Sequence, residues 1–294
     1  MNDMGGNSAA MSCLKRSVSR REWGNIMKAG FVQFEPVFGS VEENLKKAES
    51  LINGVKAEVI VLPELFNTGY LFTSIEEVGK ISEEIPDGKT TEFLCRLASR
   101  NQCCIVGGVA ERDHGRFFNS AVVVSPEGYM GTYRKIHLFS EEKLWFQPGD
   151  KEADIYDLGC CRMGVMICFD WFFPETMRIL SLKGADLICH CANLVLPFCQ
   201  DGMKIRCLEN HVYAVTANRT GQDDRNGKTL QFTGRSQITG PRADVLCSAG
   251  PVANEVGVAE LDIPLARDKH LNPFNHLYRD RRVECYRRLC EGES

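Results

Sequence analysis

Two hydrophobic periods take turns along this chain. Residues 28–34 (KAGFVQF) and 57–62 (AEVIVL) are short β-branched or alternating runs that predict strands, the second stopped by Pro63. Between them, Val41, Leu45, Ala48, Leu51 and Ile52 share one helical face, closed by Gly54. Residues 90–100 repeat the helical period with Thr91, Leu94, Cys95, Leu97 and Ala98. Strands are predicted at 103–109, 120–124 and 129–134, the last two joined by the turn Ser125-Pro126-Glu127-Gly128. The second half begins the alternation again. Residues 162–168 and 185–191 predict strands flanking a helix over 174–183, which starts at Pro174 and ends before Gly184. A helix over 203–212 and strands at 213–218, 234–239, 244–247 and 256–261 follow. Strands alternating with helices, together with hairpin-like pairs, predict one α/β domain with helices outside mixed sheets. After Pro264 the sequence turns polar, basic and irregular, which predicts a C-terminal docking tail.

Residues 1–26 break this pattern. They carry Lys15, Arg16, Arg20 and Arg21 against Asp3 and Glu22, are rich in Ser, Asn and Gly, and hold no apolar stretch of signal-peptide length. They read as a flexible N-terminal extension to a single domain over 27–294. No run reaches the ~18 apolar residues of a membrane span, so no membrane partner is expected. The net charge of −4 gives no general pull on phosphate backbones and disfavours nucleic acid as a partner.

The 14 cysteines contain no CxxC pair, and Cys103–Cys104, Cys160–Cys161 and Cys189-His190-Cys191 lack zinc-site spacing. Most read as reduced, buried thiols, which fits a cytoplasmic location. The six histidines form no HExxH or HxxxH pattern, GxSxG is absent, and Gly107-Gly108 lacks the spacing of a phosphate loop. These patterns speak against a metal hydrolase, a serine hydrolase and a phosphate-binding loop.

Three polar residues stand where apolar runs end: Glu64 after VIVLP, Lys135 after YMGTYR, and Cys168 after GVMI. In open α/β sheets ligands gather beyond the carboxyl ends of strands. Taken singly, each has an ordinary explanation as a loop carboxylate, a strand-end cation or a buried thiol, and pattern alone does not bring them together.

The three segments, Leu62-Pro63-Glu64-Leu65-Phe66-Asn67-Thr68-Gly69-Tyr70, Tyr133-Arg134-Lys135-Ile136-His137-Leu138-Phe139 and Gly164-Val165-Met166-Ile167-Cys168-Phe169-Asp170, resemble the nitrilase superfamily of carbon–nitrogen hydrolases in content and order. The resemblance spans residues 28 to 282. It implies a four-layer α-β-β-α sandwich, a homodimer or larger homo-oligomer, and hydrolysis of a small molecule without a cofactor. It casts Cys168 as nucleophile, Glu64 as general base, and Lys135 with the Phe169 N–H as stabilisers of the oxyanion. Glu142 matches the family's second glutamate, with Glu141 as the alternative. A thiol beside Lys135 is expected to have a lowered pKa.

Phe66, Tyr70, Phe169, Trp171 and Asn193 are expected in the pocket wall, although Cys191-Ala192-Asn193 departs from the family's proline before that asparagine. Phe169-Asp170 replaces the Trp-Glu of nitrilases proper, with Asp170 expected at the mouth of the site. This favours a carboxamide or N-carbamoyl substrate, while the segment Cys168-Phe169-Asp170-Trp171-Phe172-Phe173-Pro174-Glu175 also resembles archaeal-type aliphatic nitrilases and keeps a small aliphatic nitrile as the alternative. An inactive homologue serving as a scaffold is the alternative of another class, and the presence of Glu64, Lys135, Glu142 and Cys168 speaks against it.

Overall fold

Period-two alternation divides the core of this protein into separate layers. The computed structural model describes residues 25–291. The first half runs β1 (Ile26–Gln33), α1 (Val41–Ile52), β2 (Val59–Val61), α2 (Ile75–Ile81), α3 (Lys89–Asn101), β3 (Cys104–Asp113), β4 (Arg116–Ser125) and β5 (Gly128–Arg134). A short helix, α4 (Glu142–Trp145), lies in the connection. The second half runs β6 (Ile155–Asp157), β7 (Arg162–Ile167), α5 (Pro174–Leu182), β8 (Leu187–Cys191), α6 (Cys199–Asn210), β9 (Tyr213–Ala217), β10 (Gln222–Arg225), β11 (Lys228–Gln231), β12 (Gln237–Thr239) and β13 (Val245–Ser248). β14 (Glu255–Asp262) then returns to pair antiparallel with β1, and α7 (Ile263–Arg267) follows it.

Two six-stranded sheets result, in the orders β14-β1-β2-β3-β4-β5 and β13-β12-β9-β8-β7-β6. Each has a parallel centre, β1-β2-β3 in one and β7-β8-β9 in the other, with antiparallel strands at its margins. The sheets face each other, β2 and β3 against β8 and β9, and β4 against β7. Alternate residues of the first sheet choose different layers. Ala29, Phe31, Val59, Val61, Val106, Ala121 and Val123 enter the core between the sheets. Their neighbours Val32, Ile60, Ile105, Val122 and Val124 pack outward with Leu45, Ala48 and Ile52 of α1 and Leu94, Leu97 and Ala98 of α3. With α5 and α6 outside the second sheet, the architecture is α-β-β-α.

Several elements depart from the sequence reading. α2 and the β10–β11 hairpin were not anticipated, and α6 begins at Cys199 rather than 203. The chain is helical across Pro264 and irregular only after it. There it packs on its own body: Arg267 pairs with Asp186 at 2.9 Å, and Lys269 Nζ donates to the carbonyls of Asn210 and His211. β1 begins at Ile26, one residue inside the expected extension, and the rest of that extension up to residue 24 lies outside the described residues. Among the described residues all cysteines are free thiols, and no helix is long and apolar enough to cross a membrane.

Candidate active site

Four side chains predicted from separate segments converge where strands of the two sheets end. Glu64 lies three residues past β2. Its main chain presses against β3 at Gly108, where a Cβ would stand 2.5 Å from the Glu64 Cα, so this approach requires glycine. Lys135 follows β5, its N–H donating to the Asn119 carbonyl of β4 at 2.8 Å. Glu142 opens α4. Cys168 follows β7 as the first residue of a 3₁₀ turn, Cys168–Phe172.

Lys135 Nζ donates to Glu64 Oε1 at 2.7 Å and to both Glu142 oxygens at 2.8 Å. Asn119 Nδ2 donates to Glu64 Oε1 at 2.7 Å and to Glu142 Oε2 at 3.4 Å. The Tyr70 hydroxyl donates to Glu142 Oε1 at 2.6 Å. Glu64 and Lys135 are fully buried or nearly so, as are Asn119 and Cys168. Glu64 Oε2 has no hydrogen-bond partner among the described residues. One oxygen of this carboxylate is thus committed to orientation, and the other is left to handle a proton.

Burial raises the Glu64 carboxyl; Lys135 opposes and Glu142 assists, leaving it pushed up to about 7. Burial works against the Lys135 ammonium, but Glu142, Glu64 and Cys168 outweigh it and hold its pKa above the ordinary range. The Cys168 thiol corrects an expectation. Its pKa is raised well above the usual value, by burial first and then by the Glu64 charge, with Lys135 opposing and Glu142 adding to the rise. One cation facing two carboxylates does not produce a resting thiolate. It leaves a neutral thiol that needs a base.

Cys168 sits on strained backbone. Cys168 has φ of 41°, a left-handed conformation costing about 1–3 kcal/mol for such a residue. Its carbonyl accepts from His190 Nε2 at 3.0 Å, and His190 Nδ1 faces the Thr216 hydroxyl at 3.2 Å. Burial lowers the His190 pKa to about 4, so the ring is neutral and acts as a strut. Asp170, expected at the mouth of the site, is instead fully buried behind the turn. Its Oδ2 accepts from the Ile167 N–H at 2.9 Å and the Tyr133 hydroxyl at 2.8 Å. Its Oδ1 accepts from His137 through both the main-chain N–H and Nδ1. A buried carboxylate with four donors around it braces the turn.

Of the five expected pocket residues, Tyr70 and Asn193 reach the site. Asn193 Nδ2 donates to the Glu64 carbonyl at 2.8 Å, so it ties the main chain beyond β8 to that of Glu64. Phe169 lies half-buried among Phe139, Phe172 and Phe173 beside the turn. Phe66 and Trp171 are corrections. Phe66 belongs to the layer between the first sheet and its helices and packs over Gly107, on the face away from the site. The Trp171 ring wedges against α6 at Gly202, where a Cβ would lie 2.3 Å from it. Residue type and proximity in sequence suggest a pocket wall, but the turn after β2 and the 3₁₀ turn after β7 send these rings into packing. Asn119, His190 and Tyr133 are site residues that sequence reasoning missed. Asn119 gave a signal, a polar residue interrupting the apolar run of β4. Among the described residues, no group of three or more His, Cys, Asp or Glu side chains is placed to hold a metal ion.

Comparison with known proteins agrees with this geometry. A family model described as carbon–nitrogen hydrolase matches residues 28–270. A nitrilase of Pyrococcus abyssi is 49% identical over 264 residues, covering 89% of this chain and 99% of that protein. A 2-oxoglutaramate amidase of Bacillus subtilis is 30% identical over 265 residues, covering 87% of this chain and 97% of that one. In three dimensions the chain is similar to the crystal structure of a carbon–nitrogen hydrolase from Helicobacter pylori G27. The TM-score is 0.83 at 25% identity, with 91% of this chain and 99% of that chain covered.

Proposed function

This chain belongs to the carbon–nitrogen hydrolase family, and from that premise we propose that it hydrolyses a small carboxamide or N-carbamoyl compound through a thioester on Cys168. The observation that carries the reading is the pairing of a neutral thiol with a buried carboxylate whose second oxygen is unengaged. A base for this task works best with a pKa near the operating pH, and Glu64 is pushed up to about 7. Glu64 takes the thiol proton as Sγ attacks the carbonyl carbon. Lys135 and the Phe169 N–H donate to the oxygen as negative charge develops there. Glu64 then gives its proton to the departing nitrogen, the C–N bond breaks, and ammonia or an amine leaves. A water loses a proton to Glu64, attacks the thioester carbon, and releases the carboxylic acid while the proton returns to sulfur. Glu142 keeps Lys135 charged and in place throughout.

A second reading is hydrolysis of small aliphatic nitriles, favoured by the 49% identity to the Pyrococcus abyssi nitrilase. The placement of Asp170 behind the turn weakens the residue-level reason for setting nitriles aside. The two readings share the nucleophile and the base and differ in the electrophile. Steady-state kcat/KM on matched amides and nitriles of equal chain length separates them. The amide or its N-carbamoyl counterpart is expected to be the better substrate; a consistent preference for nitriles with acid as product promotes the second reading.

A further inference from the structure

The hairpin β10–β11, which the sequence pattern did not reveal, reaches from the second half of the chain to a segment of the first half that carries Tyr70. This segment, between Leu65 and Ser74, has little regular structure, so its main-chain donors need partners from elsewhere. Asp223 supplies them: its Oδ2 accepts from the N–H groups of Tyr70 at 3.3 Å and Leu71 at 3.0 Å. The carboxylate is itself held in a fork by Arg219, whose Nη1 and Nη2 each lie 3.0 Å from one of its oxygens. Both partners are buried, Arg219 completely. The Arg219 guanidinium also lies 3.9 Å from the centre of the Phe232 ring, and that ring meets Tyr70 edge-on at 5.9 Å. Arg225 adds a further clamp, donating to the Leu71 carbonyl at 2.8 Å while pairing with Glu77. Tyr70 is thus fixed at its main chain and at its ring, and both fixings trace back to one buried ion pair. A buried ion pair is an expensive way to hold a fold, because desolvation offsets much of its attraction. Here it ends on a hydroxyl that touches the candidate site.

We propose that Asp223 is a positioning residue for this site: through the main chain of Tyr70 and Leu71 it fixes the Tyr70 hydroxyl on Glu142, and so sets the charge balance around Glu64. The inference rests on the assignment of Glu64 as base. The groups facing the Tyr70–Glu142 contact and Glu64 come from every neighbouring element. They are Lys135 after β5, Asn119 on β4, Cys168 after β7, and Cys191 at the end of β8, with neutral His190 behind Cys168 and facing Lys135. Lys135 is the only cation among them. Removing the hydroxyl from Glu142 leaves that carboxylate less compensated. The uncompensated charge then disfavours ionisation of Glu64, so the acidic limb of the pH–rate profile moves to higher pH.

The test compares Asp223→Asn, Tyr70→Phe and the double variant, with full pH profiles of kcat and KM. Asp223→Asn is expected to lower kcat about 10- to 100-fold, the scale of a small misplacement in a catalytic site. KM should change much less, and the acidic limb should rise by roughly half a pH unit or more. In the Tyr70→Phe background the same change should add nothing to the limb, because its route is already cut. An unshifted limb, or a shift that adds fully to that of Tyr70→Phe, overturns the proposal. If Asp223→Asn fails to fold, Asp223→Glu decides: it keeps a carboxylate for Arg219 but displaces the acceptor from the Tyr70 and Leu71 N–H groups, so it should move the limb in the same direction, and an unmoved limb refutes the idea. Cys168→Ala, measured in parallel, keeps the two inferences apart. Retained turnover in that variant removes the catalytic reading itself, whereas lost turnover with an unshifted Asp223→Asn limb removes only the role of Asp223.

Discussion

The first sheet brings charge to the site and the second brings none. Glu64, Lys135 and Glu142 come from the first half and the connection that follows it, locked together by hydrogen bonds of 2.7–2.8 Å. The second half brings a neutral thiol, a neutral imidazole and an amide: Cys168, His190 and Asn193. The sheets share a plan, a parallel centre with antiparallel margins, yet neither could react alone. Without the second, the carboxylates and the ammonium neutralise one another; without the first, a buried thiol keeps its proton. Face-to-face packing keeps Glu64 and Lys135 on one rigid support and Cys168 on another until folding joins them.

The most severe break in this division is loss of the nucleophile. Cys168→Ala should abolish turnover while leaving the fold intact, as judged by ammonia release and circular dichroism. Substantial residual turnover would mean that another of the fourteen cysteines does the chemistry.

Disturbing the support of Cys168 from behind comes next. Asp170→Asn replaces one acceptor oxygen by a donor in a place that already holds four donors. The variant should lose roughly 1–3 kcal/mol of stability in urea denaturation, the cost of a stranded buried donor. An unchanged midpoint would show that the turn does not depend on this carboxylate.

The smallest effect is expected at Phe66, whose residue type and place in the sequence suggest a pocket wall but which packs between the first sheet and its helices. Phe66→Leu should cost only a little stability, about 1.5 kcal/mol or less if the layer repacks. It should leave kcat/KM and the ranking of substrates unchanged, and a changed ranking would return Phe66 to the site.

What the sequence made legible follows from local physics. Helix α1 was visible because its apolar residues repeat along one buried face, and strands β1, β2 and β7 because burial on both faces leaves short, nearly continuous apolar runs. The ends of β2, β5 and β7 marked Glu64, Lys135 and Cys168, but only the resemblance joined the three. α2 left a signal that went unused: Ser74 accepts from the Glu77 N–H at 3.3 Å, and Glu77 accepts from the Thr73 N–H at 2.9 Å, an arrangement written as Ser-x-x-Glu. The β10 strand left none, because Gln222-Asp223-Asp224-Arg225 shows no apolar alternation and is held by polar contacts, the Asp223 pair with nearby Arg219 and the Arg225 pair with distant Glu77. Asp170 could not be placed from its position beside Cys168, since the tight turn sends adjacent side chains in opposite directions. The thiol's pKa was misjudged for a similar reason: the sequence displayed the lysine but not the depth of burial or the two carboxylates around it.

The most direct test of the whole account is the pH dependence of Cys168 alkylation by iodoacetamide, followed by peptide mass spectrometry in the wild-type protein and in Glu64→Gln. If the thiol is neutral at rest and yields its proton to Glu64, labelling of the wild type should rise through pH near 7, where Glu64 loses its own proton and becomes available as base. Glu64→Gln removes that base, so the rise in labelling near pH 7 should be lost, and its turnover should fall by about 10²–10⁴-fold. Labelling with the same midpoint in both proteins would contradict the account, because it would show that Cys168 reaches its reactive form without Glu64.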